Sequence, residues 1–140
     1  MKEVVARHPV VEMEAAALDR WCRGDPSGFL EVVDEEVAYF DPFLATRLDG
    51  KAALIAYYEG LRGKISAVAW EMIEPRVIAC GNVAVLTFRF HSRGADGGAA
   101  AWNATEVWRR GGADGNEDVG WRIVHTHWSF SARGADAAGA

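Results

Sequence analysis

Several things are scarce in this chain, and each scarcity excludes something. Two cysteines among 140 residues, Cys22 and Cys80, are too few for a disulfide framework. Both stand among apolar neighbours, so both are expected as reduced core thiols of a cytoplasmic protein. No apolar run approaches the roughly 20 residues that cross a bilayer, and the opening MKEVVARHPV carries no signal-peptide core. No membrane partner is therefore expected. A formal net charge of −5 with no basic run gives no surface for nucleic acid. There is no G-x-S-x-G, P-loop, dinucleotide fingerprint or paired C-x-x-C. Nucleophilic and nucleotide chemistry thus have no support, and neither a cofactor nor a metal is expected.

What is present is hydrophobic and patterned. Half of the residues are hydrophobic, enough for one globular core. The expected division is an extension over 1–9, a single domain over 10–131 and a low-complexity tail over 132–140. Val11, Ala15, Leu18 and Cys22 recur at helical spacing, with Met13, Ala17 and Trp21 widening the stripe and Pro9 suited to the first helical position. Gly24 ends that helix, and Asp25-Pro26 starts a short second one. A strand is expected over Glu36–Asp41, and a third helix over Lys51–Leu61 with Leu54, Tyr57, Tyr58 and Leu61 buried. From residue 65 the period changes to two. Strands joined by glycine-rich turns follow one another to Phe130, with Pro75 marking an edge or bulge. Helices first and a meander after them predict an α+β layer architecture.

The closing third carries the chemistry. Strict alternation puts Trp102, Ala104, Glu106 and Trp108 on one face of AAAWNATEVWRR, and Ile123, His125, His127 and Ser129 on one face of GWRIVHTHWSF. If the two faces coincide, a carboxylate and two imidazoles share an aromatic-walled space. Val124, Thr126, Trp128 and Phe130 then form an outer apolar strip that a homodimer would cover. The histidines have three open readings: proton transfer near neutral pH, metal ligation, for which H-x-H lacks a zinc site's spacing, and structural hydrogen bonding.

GDPSGFLEVVDEEVAYFDP, RLDGKAALIAYYEGL and the closing EVWRR…GWRIVHTHWS resemble the nuclear-transport-factor-2-like superfamily over residues 10 to 130. Within it they look most like SnoaL-like proteins and the association domain of calcium/calmodulin-dependent kinase II. The resemblance implies a cystatin-like cone, a curved antiparallel or mixed sheet wrapped around the N-terminal helices, with a pocket inside and a homodimer as its usual assembly. Similarity to ketosteroid isomerases implies a general base at Asp41, a hydrogen-bonding acid near Glu106 and a supporting tyrosine at Tyr58. Their first-helix tyrosine would fall near Ala17, which has no hydroxyl, so steroid isomerisation itself is not expected. Asp41 also reads as a plain turn residue before Pro42. Similarity to the kinase domain implies a pocket arginine at Arg89 for a carboxylate ligand, unless Arg89 pairs with Glu106 structurally.

Two functions follow as expectations. One is a cofactor-independent acid–base isomerase, cyclase or dehydratase on a small apolar molecule, with catalytic Asp41, Glu106 and His127. The other is a non-catalytic ligand-binding or oligomerisation module. For either, the ligand contacts are expected from Tyr39, Tyr57, Tyr58, Arg89, Trp102, Trp108 and His125.

Overall fold

The structure is a computed structural model that describes residues 2–5, 8–112 and 120–132, the first four by backbone alone. Most of the 111–119 loop and of the expected tail lies outside the described residues.

Three helices precede most of the sheet. Helix α1 spans Pro9–Cys22, with Pro9 at its first position and the His8 side chain accepting from Val10 N. Its buried stripe is Val10, Glu14, Ala17, Leu18 and Cys22. Gly24 closes it at φ 85°, where a Cβ would sit 3.1 Å from Ile65 O and 3.2 Å from Gly63 Cα. Only glycine meets both the left-handed backbone and that close approach. Helix α2 is one turn, Ser27–Leu30, with Asp25 Oδ1 accepting from Ser27 N at 3.0 Å. Helix α3 covers Lys51–Glu59 and buries Leu54 and Tyr58.

The strands are β1 (Lys2–Val5), β2 (Val33–Phe40), β3 (Leu48–Asp49), β4 (Ala69–Cys80), β5 (Val83–Arg93), β6 (Ala99–Arg110) and β7 (Trp121–Phe130). They form one curved, unclosed sheet in the order β1-β4-β5-β6-β7-β2-β3. β4 to β7 are the expected antiparallel meander. β2 joins it parallel to β7, and the segment expected as an extension contributes β1, which pairs with Val77–Cys80. Pro75 lies beyond that pairing, at a register shift between Ile73 and Arg76, where its missing N–H costs no ladder bond.

α1 packs against β4 and β5, so the concave face and the helices enclose the core. Leu18, Leu54, Leu86, Trp108 and Ile123 are completely buried there, each contributing roughly 1.5–3 kcal/mol or more of transfer free energy. Cys22 is buried in this core but Cys80 is exposed at the end of β4, contrary to the expectation of two core thiols. Val77 and Ala79 take the core side of β4, and Cys80 follows on the opposite face, paired with the exposed Val83.

β6 alternates without interruption, and its residues 104, 106 and 108 are buried. β7 does not. Trp108 pairs with Ile123 while Val107 pairs with His125, leaving Val124 as an extra residue. Such a bulge shifts every later side chain to the opposite face. Thr126 and Trp128 therefore turn inward, and His125 and His127 turn outward. Phe40 lies against both outward rings, edge-on to His125 with centroids 6.1 Å apart and tilted against His127 at 5.0 Å. The expected outer strip of Val124, Thr126, Trp128 and Phe130 is thus dissolved, because Thr126 and Trp128 are part of the core wall.

Candidate functional site

A cavity of about 210 Å³ lies between the helices and the concave face. Leu18, Trp21, Cys22 and Phe29 wall it from the helices; Phe90, Trp102 and Trp128 wall it from the sheet. Trp128 packs edge-on against Phe90 and Trp102, at 6.1 and 6.2 Å between centroids. At the rim Trp102 meets Phe130 at 4.4 Å and Phe43 at 6.0 Å. Polar groups are few: Asp41, Tyr39, Tyr58, Ser66 and Ser92. Cavities on the order of 150 Å³ accept benzene, so this space suits a molecule of one to two rings.

Asp41 is the most elaborated polar group. It follows β2 two residues after Tyr39, so both continue the same inward face. Tyr39 and Tyr57 each donate their hydroxyl to Asp41 Oδ2 at 2.7 Å. Phe43 N donates to Asp41 Oδ1 at 2.8 Å, which is the turn role expected before Pro42. The turn reading and the site reading therefore hold together, one per oxygen. Adjacent residues on a helix point about 100° apart. Tyr58 thus enters the core while Tyr57 reaches Asp41 from the flank.

Burial, then Tyr58 and Asp41, push the Tyr39 hydroxyl far above the usual tyrosine range. Burial and the Asp41 hydrogen bond do the same for Tyr57, and burial for Tyr58. All three keep their protons and remain donors. Burial also pushes the Cys22 thiol up to about 11. Although Cys22 lines the cavity, it is a thiol at neutral pH and a poor nucleophile.

The other expected site residues are dispersed. Glu106 is fully buried beneath the cavity, accepting from Trp108 Nε1 at 3.0 Å and Thr126 Oγ1 at 3.3 Å. Trp108 is equally buried and lines nothing open. Arg89 is exposed on the convex face, opposite Asn103, beside a depression that includes Thr87 and Thr105. It neither enters the cone nor reaches Glu106. His125 and His127 are outside because of the bulge, and burial, His127 and Arg47 hold His125 below its ordinary value. Among the described residues no three His, Cys, Asp or Glu side chains are grouped to hold a metal. Asp41, Tyr39, Tyr58 and Trp102 are brought to one cavity, with Tyr57 behind Asp41; Glu106, His127, Arg89, Trp108 and His125 are not.

Two further residues depart from what their sequence context predicts. Trp128 faces the cavity rather than an outer strip. Glu14 stands four residues after Val10 and four before Leu18, on the buried stripe of α1, and a glutamate at that spacing is the signal the sequence offers.

A SnoaL-like domain model matches residues 15–116. The chain belongs to the SnoaL-like family. Among solved structures, a candidate ketosteroid isomerase from Parabacteroides distasonis is 38% identical, with 88% of this chain and 86% of that one covered and a TM-score of 0.76. An NTF2-like protein of unknown function from Pseudomonas putida is 22% identical over 86% and 83%, at TM-score 0.74. The CaMKII hub from S. rosetta is 23% identical over 91% of this chain and all of that one, at TM-score 0.66. The last two share the fold. No curated protein matched in a sequence search. This SnoaL-like chain has no helix among the described residues long and apolar enough to cross a membrane.

Proposed function

We propose that this protein moves a proton on a small, largely apolar molecule held in the cone, without a cofactor, and that Asp41 is the general base. One observation carries the reading. Asp41 stands in the cavity wall with its position held by Tyr39, Tyr57 and Phe43 N. A carboxylate offers about four acceptor positions, so one is left for a substrate proton. The surrounding aromatic wall excludes water and strengthens electrostatic effects at the reacting atoms.

The electrophilic side belongs to a hydroxyl donor rather than to Glu106 and His127. Tyr58 lines the same cavity and stays protonated. It is suited to donate to an oxygen on which charge develops as Asp41 takes a proton from the neighbouring carbon. The reaction class is isomerisation, or a cyclisation or dehydration that starts with the same proton abstraction. Resemblance to a candidate ketosteroid isomerase supports this direction.

The test is deuterium exchange from D2O into the carbon next to the carbonyl of small cyclic ketones and enones, followed by NMR. The protein should accelerate exchange, and Asp41→Asn should slow it by about 10²–10⁴-fold with its melting transition retained. Exchange that is unaffected by Asp41→Asn would remove Asp41 as the base. A second reading is favoured by the three donors already on Asp41, which leave little of it for a substrate: a binding module that holds the same compounds without turnover. Uptake of those compounds with no exchange above the solvent rate decides for it.

A further inference from the structure

Beneath the cavity lies a pair of carboxyl groups that the proposed chemistry does not use. Glu14 comes from α1 and Glu106 from β6, and both side chains are 0% exposed. The two carboxyls lie near enough to act on one another directly. Two ionised carboxylates side by side in an apolar core would repel each other and leave both charges without water. A proton on one of them removes that cost.

Their surroundings say which. Glu106 receives Trp108 Nε1 on Oε1 and Thr126 Oγ1 on Oε2. Glu14 Oε1 and Oε2 find no donor in the rest of the described protein. Donors stabilise the ionised form, and their absence favours the neutral one. We propose that Glu14 and Glu106 form a buried proton-binding site, with the shared proton on Glu14, which locks α1 onto the sheet and loosens as the proton is lost.

The groups facing the pair are Trp108 from β6, Thr126 from β7 and Tyr58 from α3. Tyr58 feels both carboxyls and Asp41, and among the described residues no cation acts on the pair. Burial first, then Glu106, holds the Glu14 carboxyl well above the ordinary glutamate range. Glu106 is raised by burial and pulled back by Glu14, Trp108 and Thr126. An unfolded glutamate ionises near about 4.3. Above that value the folded protein therefore binds one more proton than the unfolded chain. The folding constant then falls about tenfold per pH unit until the folded pair ionises. His125 acts in the opposite direction because its folded value is lowered, so the pair is isolated by difference.

The experiment is urea unfolding of the full chain across this pH window for wild type, Glu14→Gln and Glu106→Gln. Glu14→Gln supplies an amide N–H to Glu106 in place of the proton. It should abolish the tenfold-per-unit loss and exceed wild type in folding constant at the alkaline end. Glu106→Gln loses the carboxylate that accepts the Glu14 proton and should be weaker than wild type at the acid end of the window, where wild type is strongest. A Glu14→Gln protein that retains the wild-type slope overturns the proposal. Carboxyl NMR on wild type labelled with ¹³C-glutamate decides independently of any variant's folding. One buried carboxyl that stays protonated above the ordinary range supports the proposal; ordinary titration of both Glu14 and Glu106 overturns it. The proposal does not depend on the enzyme reading.

Discussion

The protein holds two carboxyl sites only a few side chains apart, and it treats them oppositely. Asp41 stands half-buried in the cavity wall, with two tyrosine hydroxyls and a backbone N–H on its oxygens. Glu106 is sealed with Glu14 below the floor, where two donors serve one carboxyl and none serves the other. Tyr58 lies between them, lining the cavity and within the influence of all three carboxyl groups. A carboxylate that water or a ligand can reach needs only to be oriented. One that water cannot reach must be neutralised, because burying an unpaired charge costs several kcal/mol. Function is thus expected at the first site and fold stability at the second.

The strongest way to break this contrast is to remove Glu106. Glu106→Ala strands the Trp108 N–H, the Thr126 hydroxyl and Glu14 in an apolar core, and should cost about 3–5 kcal/mol in urea unfolding. Asp41→Asn should cost under about 1 kcal/mol by the same measurement, since water replaces lost partners at a half-open site. Equal losses for the two variants would erase the distinction. A smaller effect is expected from Trp102→Ala, which opens the rim beside Phe43 and Phe130. It should weaken uptake of a cyclic ketone by about 2 kcal/mol in calorimetry and leave stability less affected than Glu106→Ala. Smallest is Tyr57→Phe, which removes one of the two hydroxyls on Asp41 Oδ2. It should lower turnover, measured as kcat, by about 1 kcal/mol of barrier with little change in KM. A larger effect on KM than on kcat would mean that Tyr57 shapes the pocket rather than holds Asp41.

Much of the fold was legible because its signals are local. The stripe on α1, the glycine at its end and the alternation of β4 to β6 each arise from residues within a turn or two of one another. The Asp41–tyrosine side of the cavity was legible through the resemblance to ketosteroid isomerases, and the spacing of Tyr39 and Asp41, two residues apart on one strand, agrees with it. The histidine side was not. Alternation in β7 reads correctly up to Ile123, but Val124 is extra only with respect to β6. No property of Val124 itself announces it. Glu14 is not legible in the sequence because a charged residue on a stripe reads as an edge of that stripe until its partner across the core is known.

By itself the sequence determined an α+β layer architecture with helices before a meander, an aromatic interior and an acid at the end of β2, because periodicity and turn chemistry act within single elements; the cone came from the family resemblance. Only the tertiary structure decided which way His125, His127 and Trp128 point, since register is a relation between strands. It alone decided which carboxyl is open and which is sealed, since charge state follows from the water that other elements exclude.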